Sequence, residues 1–161
     1  MNLSGKVSAI TGASTGLGLA VARAYARAGS DVLINSRNAA DLHAARLTIE
    51  ADGTGRRVID VPGDIAAADD VARLIETAGR EFGLLDVLVC NAGIFGAKGP
   101  IETVDWAEWE HGIATNLLGT VMCVRQALPL LRRSAHRPKI VITAGGGAER
   151  AHPYISAYGA S

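Results

Sequence analysis

Five short runs of apolar residues punctuate the chain, separated by longer stretches of mixed character. The runs fall at residues 7–10, 32–35, 58–61, 87–91 and 139–143. Each is too short for a helix and nearly continuous in apolar character, as expected of strands covered on both faces. The longer stretches read as helices. Leu17, Val21, Tyr25 and Ala28 recur at helical spacing, and Gly29 offers a stop. A second helix is predicted after Asn38. A third carries Val71, Leu74, Ile75, Ala78 and Phe82 on one face and ends at Gly83. Asp105, with Glu108 three residues on, has the pattern of a capping box at the start of a fourth. A long helix is then expected through Asn116 towards Leu131, disturbed at Pro129. Strands alternating with helices predict an α/β protein with a doubly wound parallel sheet. No repeat, low-complexity tract or linker divides residues 1–161, so one domain is expected.

Composition narrows the classes of partner. The chain is 48% hydrophobic and 20% charged, with enough apolar material for a core. Lys plus Arg and Asp plus Glu both number 16, so no net field draws it to nucleic acid or an anionic membrane, and a ligand must be held locally. No apolar run approaches the roughly 20 residues of a membrane span, and the N-terminus lacks the pattern of a signal peptide. Cys90 and Cys123 lie in apolar contexts without metal-ligand spacing and read as buried thiols in a reducing cytoplasm. His43, His111, His136 and His152 are scattered without metal-binding spacing, so no metal is expected and they read as structural or solvated. Trp106 and Trp109 are expected to pack on the sheet, and Arg132 and Arg133 to favour the dipole of a helix end.

The chemistry gathers at the ends of the strands. After the first strand comes Thr11-Gly12-Ala13-Ser14-Thr15-Gly16-Leu17-Gly18, a glycine-rich turn opening into a helix. Glycine permits left-handed backbone and close approach to a ligand, and the free amides at the helix start favour an anion such as a pyrophosphate. The second strand ends in Asn35-Ser36-Arg37-Asn38, where this kind of fold places the adenosine ribose. The acid that would take a 2′-hydroxyl is missing. Ser36 can donate to a 2′-phosphate and the Arg37 guanidinium can neutralise it, so NADP is favoured over NAD. Asp64-Ile65 follows the third strand, Asn91-Ala92-Gly93 ends the fourth, and Thr115-Asn116-Leu117-Leu118-Gly119 lies in the long helix.

This ordered set, over essentially the whole chain, resembles the short-chain dehydrogenase/reductase family. The resemblance implies a Rossmann-like fold and a cofactor site made of Thr11, Gly12, Ser14, Thr15, Gly16, Leu17, Gly18, Ser36, Arg37, Asp64, Ile65, Asn91, Ala92 and Gly93. Asp64 and Ile65 would contact the adenine, and Asn91-Ala92-Gly93 would steady the sheet beside the cofactor. Asn116 would hold a water in the proton relay. Tyr158, in Ser156-Ala157-Tyr158-Gly159-Ala160-Ser161, matches the tyrosine that gives a proton to the substrate carbonyl.

Two departures stand out. In the family a lysine four residues after the tyrosine holds the nicotinamide ribose and readies the tyrosine, whereas this chain ends at Ser161. The serine expected about thirteen residues before the tyrosine falls at Gly145, or at Ala144 after a one-residue shift, within Thr143-Ala144-Gly145-Gly146-Gly147-Ala148. Thr143 could replace it only with a remodelled loop, being roughly 6.6 Å away along the strand. The expectation is an NADP-dependent oxidoreductase interconverting a small alcohol and carbonyl, seen as an incomplete chain lacking the family's C-terminal strands and helices. The alternative is a non-catalytic NAD(P)-binding module or an inactive remnant. By the same analogy the fifth strand is left as an edge, predicting a dimer or larger self-associate if the polypeptide is this short.

Overall fold

A computed structural model describes residues 2–145 and 153–161. Five parallel strands, β1 (Val7–Thr11), β2 (Asp31–Ser36), β3 (Val58–Pro62), β4 (Val87–Cys90) and β5 (Lys139–Ile142), form one sheet in the order β3-β2-β1-β4-β5. The expected runs therefore become the strands, with ends that differ by a residue. β2 reaches Ser36 because that residue pairs with Pro62, whereas β4 stops at Cys90 because the Asn91 amide turns to the Thr11 side chain. Side chains alternate between two apolar layers. Leu33 and Leu88 join one with α3 (Ala68–Phe82), while Val32, Ile34 and Val89 join the other with α1 (Gly16–Arg27) and α2 (Ala39–Glu50). The chain is thus a Rossmann-like α/β fold whose sheet is covered on both faces at β1, β2 and β4.

α1 does not bury the expected stripe. Leu17 is 58% exposed, and the face against the sheet is Gly18, Ala22 and Ala26, with Val21 and Tyr25 at its margin. Small residues let the helix axis lie close to β1 and β2, so the stripe moved one position towards them. α2 starts where Asn38 accepts from the amides of Ala40 and Asp41. α3 buries Val71, Leu74, Ile75 and Ala78 as its spacing predicts, and Gly83 ends it at φ +77°. Arg133 donates to the Gly83 carbonyl at 3.2 Å, so it serves the end of α3.

Asp105 caps α4 (Trp106–Ile113) through the Glu108 amide. The helix then widens into a π segment, Ala114–Gly119, before α5 (Thr120–Leu131), which accommodates Pro129 in its last turn. Gly119 sits against the Ile65 backbone so closely that a Cβ there would lie 2.8 Å from the Ile65 carbonyl oxygen. Trp106 and Trp109 do not pack on the sheet. They stack on each other with centroids 4.8 Å apart, and the Trp109 indole donates to Ser156 of α6 (Ser156–Ala160) at 2.9 Å. Two aromatics three residues apart on one helix are neighbours, and the polar indole edge found a hydroxyl.

At the opposite end of the sheet from the glycine turn, buried Asp86 accepts from the Val7 amide at 2.8 Å and from the Ser134 hydroxyl. It fixes the start of β1 against the approach to β5. β5 pairs with β4 alone among the described strands, and Ile140, Val141 and Ile142 are all exposed. No described helix is long and apolar enough to cross a membrane.

Candidate active site

The strand order reverses between β1 and β4, and the crevice beyond their C-terminal ends is where a doubly wound sheet takes its ligand. A cavity of about 270 Å³ lies there, bounded by the glycine turn, the end of β2, Gly63 to Ile65, Asn91 to Ile94 and Thr115. The glycine turn has the conformation its residues predict. Gly12 and Gly16 have φ of +63° and +55°. A Cβ on Gly18 would overlap the Gly12 carbonyl oxygen and lie 2.6 Å from Asn91 Nδ2. α1 begins at Gly16 with no side chain capping its first amides and no acid in its first turn, so its positive end faces the crevice.

Thr11 and Asn91 lock the floor. The Thr11 hydroxyl accepts from the amides of Asn91 and Ala92 at 3.0 and 3.1 Å, and Asn91 Nδ2 donates to the carbonyls of Thr11 and Gly12. Two adjacent strand ends and the turn are thereby held as one rigid edge. Ser14 and Ser36 share a hydrogen bond at 3.0 Å, joining the turn to the end of β2. Arg37 is exposed beside them and lines the same cavity. Asp64 accepts from the Ala66 amide and donates its own amide to Asp70, so it shapes the turn after β3 while bordering the crevice. Ile65 is buried under it. Thr15 and Leu17 are exposed, Thr15 on the cavity wall.

Four lining residues were not picked from the sequence: Asn35, Gly63, Ile94 and Thr115. Asn35 Oδ1 and Thr115 Oγ1 are buried polar atoms without a hydrogen-bond partner among the described residues. Both border the cavity, and such atoms call for a polar ligand or water. With the glycine cradle and the unblocked helix start, they fit a dinucleotide. Thr115 sits directly before the recognised Asn116, and Ile94 directly after Gly93, so adjacency was the available signal.

A second cavity of about 480 Å³ continues from the first and shares Asn91 to Ile94 as a wall. Tyr158, Asn116, Thr143, Ala144 and Gly145 line it. Asn116 and Tyr158, over 40 positions apart in the chain, thus line one cavity. Asn116, in the π segment, accepts from the Ile94 amide and donates to the Ile94 carbonyl, each at 2.8 Å, and also donates to Ser161 Oγ at 2.9 Å. Its side chain clamps the shared wall. Tyr158 packs its ring on Phe95, centroids 5.1 Å apart. A Cβ at Gly145 would fall on the Tyr158 hydroxyl and lie 2.6 Å from its Cε1. Glycine at the position expected for serine therefore makes room for the tyrosine. Residues 146–148 and His152 lie outside the described residues.

The thiols play no part. Burial pushes Cys90 up to about 11, and burial followed by the neighbouring Cys90 pushes Cys123 up to about 12, leaving both as thiols at neutral pH. Two histidines have polar companions that their sequence context did not suggest. His43 Nδ1 is 3.4 Å from Asp60, and His111 Nε2 is 3.4 Å from Arg37 Nη1.

The family model for short chain dehydrogenases matches residues 6–161. The gluconate 5-dehydrogenase of Gluconobacter oxydans (strain 621H) is 36% identical over 99% of this chain and 61% of its own length. The cis-4-hydroxycyclohexanecarboxylate dehydrogenase of Sinomonas cyclohexanicum is 39% identical over 76% of this chain and 48% of its own. Among solved structures, L-sorbose reductase from Gluconobacter frateurii, complexed with NADPH and L-sorbose, superposes with a TM-score of 0.92 at 30% identity, covering 99% of this chain and 60% of that one. An alcohol dehydrogenase from the archaeon Thermococcus sibiricus, complexed with 5-hydroxy-NADP, superposes with a TM-score of 0.88 at 30% identity, covering 96% and 64%. The chain spans about half to two thirds of the length of these relatives.

Proposed function

The chain belongs to the short chain dehydrogenase family, and from that premise we propose that it is the cofactor-binding part of an NADP-dependent oxidoreductase interconverting a small alcohol and a carbonyl. One observation carries the reading. The glycine turn and Tyr158 lie at two ends of one trough whose common wall is Asn91 to Ile94. The turn would hold the pyrophosphate on the α1 amides, and Asp64 and Ile65 would border the adenine. Ser36 and Arg37 would take the 2′-phosphate, with no acid between them to repel it. Two of the structural relatives were solved with NADPH or an NADP derivative, which supports the same preference.

Bound NADPH would supply the hydride. Tyr158 would give the proton to the carbonyl oxygen, and Asn116 would hold the wall through Ile94 and a relay water beside it. Positioned acid catalysis is typically worth about 10²- to 10⁴-fold. Tyr158→Phe in the full-length protein is therefore expected to lower turnover by at least about 100-fold while leaving the NADPH dissociation constant unchanged. Unaltered turnover would remove the tyrosine from this role.

Gly145 favours a second reading. The serine hydroxyl that would hold the substrate oxygen is absent, and the Tyr158 hydroxyl occupies the space where a side chain would begin. A donor must lie within about 3 Å of the oxygen it stabilises. The second reading is a nucleotide-binding module without turnover. Titration with NADPH beside a panel of ketones separates the two, because oxidation of the cofactor excludes the module and binding without oxidation favours it.

A further inference from the structure

The contact between Arg37 and His111 bridges elements 74 residues apart at the mouth of the smaller cavity. Arg37 leaves the end of β2, and His111 lies on α4, one helical turn before Thr115, which lines that cavity with its unpartnered hydroxyl. His111 is not itself part of the cavity lining, and its contact with Arg37, which is, brings the imidazole to the rim. His111 is half-buried and Arg37 exposed, so the imidazole is the more fixed of the two. A guanidinium nitrogen and an imidazole nitrogen 3.4 Å apart can both reach one oxygen of a small anion placed against them.

Other donors at this end are spoken for or neutral. The first amides of α2 are taken by the Asn38 side chain. Ser14 and Ser36 bond each other and supply hydroxyls without charge. Among the described residues Arg37 is then the one cation lining the cavity, set against an anion carrying up to two charges. Resting on the NADP reading above, we infer that His111 forms the second wall of the 2′-phosphate subsite and helps set the preference for NADP over NAD. Without phosphate the imidazole accepts from Arg37. With phosphate present, both side chains donate to it.

The test is a calorimetric titration of the protein with 2′,5′-ADP and with 5′-AMP, two fragments that differ only in the 2′-phosphate. Wild-type protein is expected to favour 2′,5′-ADP. His111→Ala is expected to weaken 2′,5′-ADP about tenfold, the scale of one hydrogen bond to a charged group, with 5′-AMP unchanged. His111→Gln keeps a donor and should recover part of the loss. Equal losses for both fragments would make His111 a structural support of the crevice and overturn the inference. So would an unchanged ratio in His111→Ala beside a clear wild-type preference. Wild-type protein that binds neither fragment, or both alike, would instead overturn the NADP reading from which the inference starts. Circular dichroism of each variant shows whether it is folded, and His111→Gln carries the test if His111→Ala is not.

Discussion

Gly18 carries the strictest demand on side-chain identity in the glycine turn. Its φ is negative, so the constraint is space: a Cβ would overlap the Gly12 carbonyl oxygen and press on the Asn91 amide that braces it. Gly18→Ala is thus expected to force the turn away from β4, costing about 1–3 kcal/mol as an overpacked core site does. It should also weaken NADPH at least about tenfold, because the α1 amides would no longer face the pyrophosphate together. Thermal unfolding and a nucleotide titration check both halves, and wild-type affinity in a folded variant would show that the turn tolerates the methyl group. The glycines of the turn were legible because a strand, a glycine-rich turn and a helix occur in that order. The departure at Gly145 was legible too, but its consequence was not. Only the folded chain shows that the Tyr158 hydroxyl fills the space over that residue.

Elements were read best where one force decided them. β1, β2 and β4 were visible because burial on both faces leaves an unbroken apolar run. α3 was visible because it presents one apolar face to the sheet and the other to water. α1 was read one position out of phase because close packing on a sheet selects Gly18, Ala22 and Ala26, which apolar periodicity undervalues. The π segment left no mark in the sequence, and the close approach of its last residue, Gly119, to the Ile65 backbone appears only on folding. The lining atoms of Asn35 and Thr115 were missed for a like reason: polar residues inside a strand and a helix become site residues only through their neighbours. The tie between α1 and the end of α2 also appears only on folding. Hydrogen bonds from Arg23 and then Arg27 hold the Asp52 carboxyl well below the usual carboxylate range. A carboxylate depressed in the folded state stabilises it at pH above the unfolded value of about 3.9, and that contribution fades as pH falls towards the folded value. Asp52→Asn should therefore lower the melting temperature at pH 7 modestly, by an amount that shrinks as the pH is lowered towards 2. A difference that grows with acidification would contradict the assignment.

At the scale of the molecule, the two edges of the sheet are unequal in what they leave uncovered. β3 closes one side with Val58 and Val61 buried and Asp60 tied to Arg46. β5 closes the other with Ile140, Val141 and Ile142 at 40, 42 and 57% exposed, and its outer backbone edge meets no strand among those described. Leu117, Leu118 and Val121 are exposed in the neighbouring stretch of the π segment and α5, so the apolar surface extends beyond the strand itself. An unpaired edge beside such a surface is a template for pairing with another copy. The 161-residue chain is accordingly expected to run as a dimer or larger species in multi-angle light scattering at micromolar concentration. Ile142→Lys places a charge on the exposed edge, where it faces water in the monomer and would be buried in an edge-to-edge pair. It should move the population towards monomer while leaving the circular dichroism unchanged, because Ile142 contributes to neither apolar layer of the core. A clean monomer for the unsubstituted chain would sink the prediction. Association that persists undiminished in Ile142→Lys would move the contact away from β5.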